Sequence, residues 1–265
     1  MDIGIVGCAG RMGRMVAAQI LATDGCVLAG GTEQPGSEHI GADIAELAGA
    51  SAAGVTVGDN PGAMIAAVDA VIDFTVPAAT VAHAAFAAEH GVILVAGTTG
   101  LDVEQQQAID AAAAKTAIVH AANMSVGVTL ALGLTTQVAS ILGDDYDIEI
   151  VEMHHRHKVD APSGTALALG RAAAEGRGVD LEAVSERVRD GITGPRKAGD
   201  IGFATLRGGD VVGEHSVVFA AEGERIELTH KASSRTLFAR GAVRSALWCE
   251  GKPAGLYSMA DVLGL

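Results

Sequence analysis

Apolar positions follow two different rhythms along the chain. Through about residue 122, short and nearly continuous apolar runs at 3–7, 26–31, 55–58, 70–74, 92–96 and 117–121 alternate with longer alanine-rich stretches. In the first of these stretches Met12, Met15, Val16 and Ile20 recur near a 3.6-residue period, which predicts a helix over 11–23. Further helices are expected at 77–89 and 102–114. Strands without polar alternation, separated by helices, imply a parallel sheet covered on both faces. From about residue 146 the rhythm changes. Runs at 146–154, 201–206, 211–220 and 224–230 read as longer strands, and Gly208-Gly209 reads as a hairpin turn between two of them. A mostly antiparallel or mixed sheet follows, with helices expected at 163–175 and 235–249 and a mobile loop at 176–199. The pattern is that of an α/β chain with two regions.

Composition narrows the class. The chain has 265 residues, 49% hydrophobic and 19% charged, enough for a buried core and too apolar for disorder. Aromatic residues make up only 3% and the formal net charge is -14, a poor footprint for a nucleic-acid binder. The charge is uneven: residues 1–150 hold three basic side chains against seventeen acidic ones, and the remainder holds fifteen of each. Three scattered cysteines (Cys8, Cys26, Cys249) suit neither a disulfide framework nor a zinc site. The first residues run directly into an apolar strand without a basic leader, so a cytoplasmic location is expected. The apolar stretch 125–142 is broken by Ser125, Thr129, Thr135, Thr136, Gln137 and Ser140 and is expected to be a packed helix with no membrane role.

Candidate chemistry sits in two clusters. Gly7, Cys8, Ala9, Gly10, Arg11, Met12 and Gly13 join the first strand to the first helix, where backbone N–H groups and the helix dipole favour a pyrophosphate. Gly7 suits the tight turn, Gly10 a close phosphate approach and Gly13 tight packing of helix on strand. The spacing is GxxGxxG, with Ala9 at the second glycine site of the usual fingerprint, and a plain glycine-rich turn is the competing reading. Glu33 lies twenty residues past Gly13, where an acid accepts hydrogen bonds from an adenosine ribose, although a solvated turn carboxylate would look the same. Gln34 follows it, and no Arg or Lys stands beside it to pair a 2′-phosphate. NADH is therefore expected over NADPH. Gly97, Thr98 and Thr99, and Ala121, Ala122, Asn123 and Met124, end two further strands on the rim where open α/β sheets bind ligands. Asp73 reads equally well as a buried structural acid.

The second cluster runs from Glu152 through His154-His155-Arg156-His157-Lys158 and Asp160 to Pro162-Ser163-Gly164-Thr165-Ala166, with its positive charge gathered at 154–158. It is the densest positive spot in the chain. Ser163 offers an N-cap, so the amides of Gly164 and Thr165 would lead a helix. Imidazole, ammonium and a helix N-terminus together suit a small dicarboxylate, and a histidine can donate a proton near neutrality. A solvated basic turn and a metal site compete. Lys158 would repel a dication, so no metal is expected.

These segments resemble one family closely. GCAGRMG at 7–13, GTTG at 97–100, AANMSVG at 121–127 and EMHHRHKVDAPSGTA at 152–166 are similar to motifs of the 4-hydroxy-tetrahydrodipicolinate (dihydrodipicolinate) reductases, as are 201–219 and 229–248. The resemblance spans nearly the whole chain. It implies a Rossmann-like domain from 1–124 with 236–265, and an α+β mixed-sheet domain at 125–235 for substrate binding and homotetramer formation. It implies NAD(P)H-dependent reduction in diaminopimelate and lysine biosynthesis, with His154 as proton donor and Lys158 assisting. His155, Lys158, Gly164 and Thr165 would bind substrate. Cofactor contacts would come from Gly7 to Met12, Glu33, Gly97 to Thr99, and Ala121 to Met124. Many relatives carry Arg after the acid, and Gln34 here departs from them. The alternatives are another Rossmann oxidoreductase acting on an amino-acid precursor, and a non-catalytic NAD(H)-binding regulator.

Overall fold

Strand β1 (Asp2–Val6) is buried at every residue after Asp2 and enters helix α1 (Arg11–Leu21) through the glycine loop. The computed structural model describes all 265 residues, which divide into two units, Met1–Val126 with Thr236–Gly264 and Gly127–Arg235 with Leu265. In the first unit the chain continues through β2 (Val27–Thr32), α2 (Ile44–Leu47), α3 (Pro61–Ile65), β3 (Ala70–Asp73), α4 (Pro77–His90), β4 (Ile93–Ala96), α5 (Val103–Ala113) and β5 (Ala117–His120). Neighbouring residues on one strand serve opposite faces. Ile72, Val95 and Val119 join one core with Val16 and Ile20 of α1, whereas Val71, Leu94 and Ile118 join a second with Ile109 of α5. That two-sided burial is why these strands are continuously apolar. The run at 55–58, expected as a strand, makes only isolated bridges from Gly58 to Thr32 and from Thr56 to Asp43. Glycines at 54 and 58 leave it too short for a ladder.

The second unit starts with α6 (Val126–Leu142) and β6 (Asp147–His154), then α7 (Gly164–Arg177), α8 (Leu181–Val184), β7 (Ser185–Glu186), β8 (Ile201–Arg207), β9 (Gly213–Ala221) and β10 (Glu224–Ala232). Its sheet order is β10-β9-β6-β8-β7. The expected Gly208-Gly209 hairpin does not exist. β6 lies between β8 and β9, parallel to the first and antiparallel to the second. The glycine pair instead carries the chain over the end of β6, bonding Gly208 N–H to the His154 carbonyl and accepting Arg156 N–H at Gly209. The hairpin is the next one, β9 to β10, turning at Glu222-Gly223. Segment 176–199, expected to be a mobile loop, contains α8 and β7, and Arg189 and Arg196 both bond to the Glu149 carboxylate.

Helix α6 together with the helical turn that follows it, Val126–Asp145, is long and apolar enough to cross a membrane by length and composition, and only part of it is covered. Ala131, Leu132, Val138, Ala139 and Leu142 pack into the core of the second unit, while Leu130, Leu134 and Ile141 are exposed. The chain then returns to the first unit with α9 (Thr236–Trp248), β11 (Gly255–Tyr257) and α10 (Met259–Leu263). β11 adds to β5 in parallel, a strand too short and glycine-flanked to read from sequence. The completed sheet runs β11-β5-β4-β3-β1-β2, a doubly wound, Rossmann-like order that reverses direction between β3 and β1. A Cβ on Gly241 of α9 would lie 1.7 Å from the Met124 carbonyl oxygen, so only glycine lets this helix close on the end of the β5 loop.

Candidate functional site

In the first unit the predicted cofactor residues fall in one row, because parallel strands present their C-terminal ends on the same rim. Gly7 has φ of +69°, the left-handed conformation glycine tolerates. Gly10 is the N-cap of α1, with no side chain bonding the helix N–H groups and no acid in the first turn. A Cβ on Gly13 would sit 2.2 Å from the Gly7 carbonyl oxygen. The loop is thus a close-packed backbone cradle whose helix end is open to an anion, which fits a dinucleotide pyrophosphate. Cys8 is fully buried, and burial, reinforced by the Glu33 charge, pushes its thiol up to about 12. Only its backbone can serve a ligand. Arg11 is exposed and Met12 half-buried.

Glu33 sits just past β2, its Oε1 accepting the Ala9 N–H at 2.9 Å. The Ala9 carbonyl in turn accepts Arg14 Nε at 2.7 Å, and Arg14 Nη2 lies 3.5 Å from His39 Nε2. Arg14, nineteen positions before Glu33, thus holds the carbonyl of the same Ala9 whose amide Glu33 accepts. A cleft of about 340 Å³ opens alongside, lined by Gly7, Thr32, Glu33, Gln34, Thr75 and His83. Its size suits a small-molecule moiety.

At the ends of β4 and β5 the residues divide. A Cβ on Gly97 would strike the Phe74 ring at 2.1 Å. Thr98 is buried, its Oγ1 taking the Thr80 hydroxyl at 2.7 Å, and Asp73 beneath it is bonded to His83 Nδ1 at 2.8 Å and to Thr75. Asp73 thus supports the rim from inside. Thr99 and Ala122 are exposed on it, Ala121 and Asn123 are half-buried, and Met124 is buried.

In the second unit β6 alternates strictly, so Ile148, Ile150, Glu152 and His154 all face its core. Glu152 is 1% exposed and is the centre of a network. Its Oε2 lies 2.5 Å from His154 Nδ1, Arg207 grips both oxygens at 2.8 and 2.9 Å, and Ser163 N–H donates to Oε1 at 3.1 Å. Burial alone would raise this carboxyl. Arg207, His154 and the Ser163 amide outweigh it and hold Glu152 below the usual carboxylate range. His215 packs edge-on to His154, its Nε2 2.9 Å from Ser163 Oγ, and burial, aided by the nearby His154, lowers it to about 4.

Ser163 caps α7 as expected, its Oγ accepting Ala166 N–H, so Gly164 and Thr165 lead the helix. Nothing stands within 4 Å of a Cβ placed on Gly164. His155 is half-buried with its Nδ1 enclosed and without a hydrogen-bond partner, and burial followed by the charges of Arg235 and His157 lowers its pKa. Lys158 is already engaged, by both oxygens of Asp160. Glu152 stands in the sequence cluster without a role there, and sequence reasoning does not single out Arg207 or His215. An acid at an inward position of an alternating strand was the available signal, since a buried charge requires a partner.

Comparison with known proteins matches these two halves. The family model for the dihydrodipicolinate reductase N-terminus matches residues 1–124, and that for its C-terminus matches 127–263. The chain is 57% identical to the 4-hydroxy-tetrahydrodipicolinate reductase of Dinoroseobacter shibae, over 99% of this chain and 98% of the relative. It is 58% identical to the enzyme of the same name from Parvibaculum lavamentivorans, over 100% and 98%. In fold it is similar to a dipicolinate-bound dihydrodipicolinate reductase from Paenisporosarcina sp. TG-14, with a TM-score of 0.79, 23% identity and 98% of each chain covered.

Proposed function

Because the chain belongs to the dihydrodipicolinate reductase family, we propose that it reduces 4-hydroxy-tetrahydrodipicolinate, by way of dihydrodipicolinate, to tetrahydrodipicolinate in diaminopimelate and lysine biosynthesis. The observation that carries this reading is the buried His154, held through Nδ1 by Glu152 on the strand that leads to the Ser163-capped helix. NAD(P)H, when bound, supplies the hydride that adds to ring C4. The loop from Gly7 to Met12 binds the pyrophosphate through its amides, with the rim at Gly97, Thr98, Thr99, Ala121, Ala122, Asn123 and Met124 positioning the remainder. Glu33 accepts the ribose hydroxyls.

The protein's own groups supply the second half of the reaction. His155, Lys158 and the leading amides at Gly164 and Thr165 bind the two carboxylates of the substrate. As electron density moves toward the ring nitrogen, Lys158 stabilises the developing charge. His154 Nε2 then gives its proton to the enamine carbon. The two regions take these roles as 1–124 with 236–265 and 125–235.

NADH is the preferred cofactor on this reading. The Glu33 carboxylate disfavours a 2′-phosphate and Gln34 adds no cation, while Arg14 beside Ala9 keeps NADPH as a weaker alternative. The active form is a cytoplasmic homotetramer. One face of the second sheet exposes Ala204 and Leu206 and leaves Val151, Met153 and Val218 half-buried, which gives such an assembly an apolar surface. Light scattering of the purified protein tests that mass.

The experiment for the activity adds freshly condensed aspartate semialdehyde and pyruvate to enzyme and NADH. Loss of nicotinamide absorbance is expected, with kcat reduced about 10²–10⁴-fold in His154→Gln. No oxidation by the wild-type chain, or an unchanged rate in the variant, contradicts the reading.

A further inference from the structure

We infer that Glu152 is a positioning residue that fixes the tautomer and direction of the His154 ring, and that Arg207 holds Glu152 in place for that purpose. This rests on the reading of His154 as the proton donor. Glu152 accepts four hydrogen bonds: two from Arg207, one from Ser163 N–H and one from His154 Nδ1. An ionised carboxylate can only accept, so the proton between Glu152 and His154 belongs to Nδ1. Nε2 is left as the nitrogen that exchanges a proton with the outside. A ring free to turn about its side-chain torsions would present either nitrogen.

Surrounding groups serve the same end. Arg207 sits opposite His154 in the β6–β8 register, and its Nη2 also donates to the Asp160 carbonyl at 2.7 Å. One guanidinium therefore ties the carboxylate to the turn that carries Lys158. Gly213, across on β9, leaves room for the ring, because a Cβ there would approach His154 Nε2 to 3.0 Å. The charged or titratable groups around His154 are Glu152 on its own strand, Arg207 on β8, His215 on β9, and His155 and Lys158 in the following turn. Glu152 is the acid bonded to the ring, and replacing it removes the acceptor that fixes Nδ1 as the donor.

The test uses the full-length enzyme with ¹⁵N-labelled histidine, comparing wild type with Glu152→Gln. Nitrogen chemical shifts of the His154 ring report the tautomer without any turnover. The expected signature of the neutral wild-type ring is a single Nδ1–H form, replaced by a mixture in the variant. In the steady-state assay kcat should fall about 10–10³-fold with the cofactor KM unchanged. Glu152→Asp should recover part of the tautomer signature and of kcat. If Glu152→Gln does not fold with Arg207 uncompensated, the double variant Glu152→Gln/Arg207→Gln removes both charges and is read in the same way. A folded variant that keeps the wild-type tautomer and kcat overturns the inference. Should the wild-type chain fail to reduce the substrate, the tautomer measurement still decides the positioning role by itself.

Discussion

The Asp160 carboxylate holds the Lys158 ammonium through both oxygens, at 2.7 and 2.9 Å. On the proposed function, the lysine that binds a substrate carboxylate is thus paired beforehand with a competitor two residues away. Lys158→Ala should raise the substrate KM about 10–100-fold, the worth of one hydrogen bond to a charged group. Asp160→Asn should lower it, because the competitor loses its charge. Initial rates against substrate concentration measure both. An unchanged KM in Lys158→Ala would remove Lys158 from the binding set.

The contact between Gly13 and Gly7 leaves no room for a methyl group. The nearest atoms to an added Cβ are the Gly7 oxygen at 2.2 Å and the Cys8 Cα at 2.6 Å, both backbone. Gly13→Ala should therefore displace the phosphate loop, costing about 1–3 kcal/mol in stability and weakening NADH binding. Thermal melting and fluorescence titration with NADH read the two effects.

His215 gives stability a pH dependence of defined sign. Its ring is held near 4 in the folded chain against 6.5 when free, so between those values the unfolded state binds a proton that the native state does not. Stability is full above about pH 6.5 and declines toward pH 4, by about 3 kcal/mol for this group. His155 and His230, also lowered, act in the same direction. Urea midpoints across this range should fall less steeply in His215→Gln. Parallel curves for variant and wild type would show that His215 is not the source.

The proposed NADH preference is testable at one neutral position. Gln34 lines the cleft beside Glu33, and Arg14 already stands on the other side of Ala9. Gln34→Arg should raise kcat/KM for NADPH about tenfold, since it adds a charge-assisted contact to the 2′-phosphate. A wild-type chain that already uses NADPH better than NADH would refute the preference.

Much of this organisation was readable in the sequence, and what was not has physical causes. Val71 and Ile72 sit side by side because the strand is covered on both faces, and that signature survives without a structure. The glycines of the phosphate loop are legible because backbone geometry demands them. Gly208-Gly209 misleads because a tight turn looks the same whether it zips a hairpin or crosses over the end of a third strand. Nothing local states that β6 will insert between β8 and β9. The Ala9 amide on Glu33, and Arg207 on Glu152, are likewise contacts between segments far apart in sequence. Their partners are fixed by the fold.

The most direct test of the central claim follows a deuterium atom. The enzyme is supplied with NADH carrying deuterium at both C4 positions of the nicotinamide, together with freshly condensed aspartate semialdehyde and pyruvate. NMR of the product should show one deuterium at ring C4 of tetrahydrodipicolinate, and His154→Gln should yield the same label far more slowly. Absence of labelled product would contradict the account.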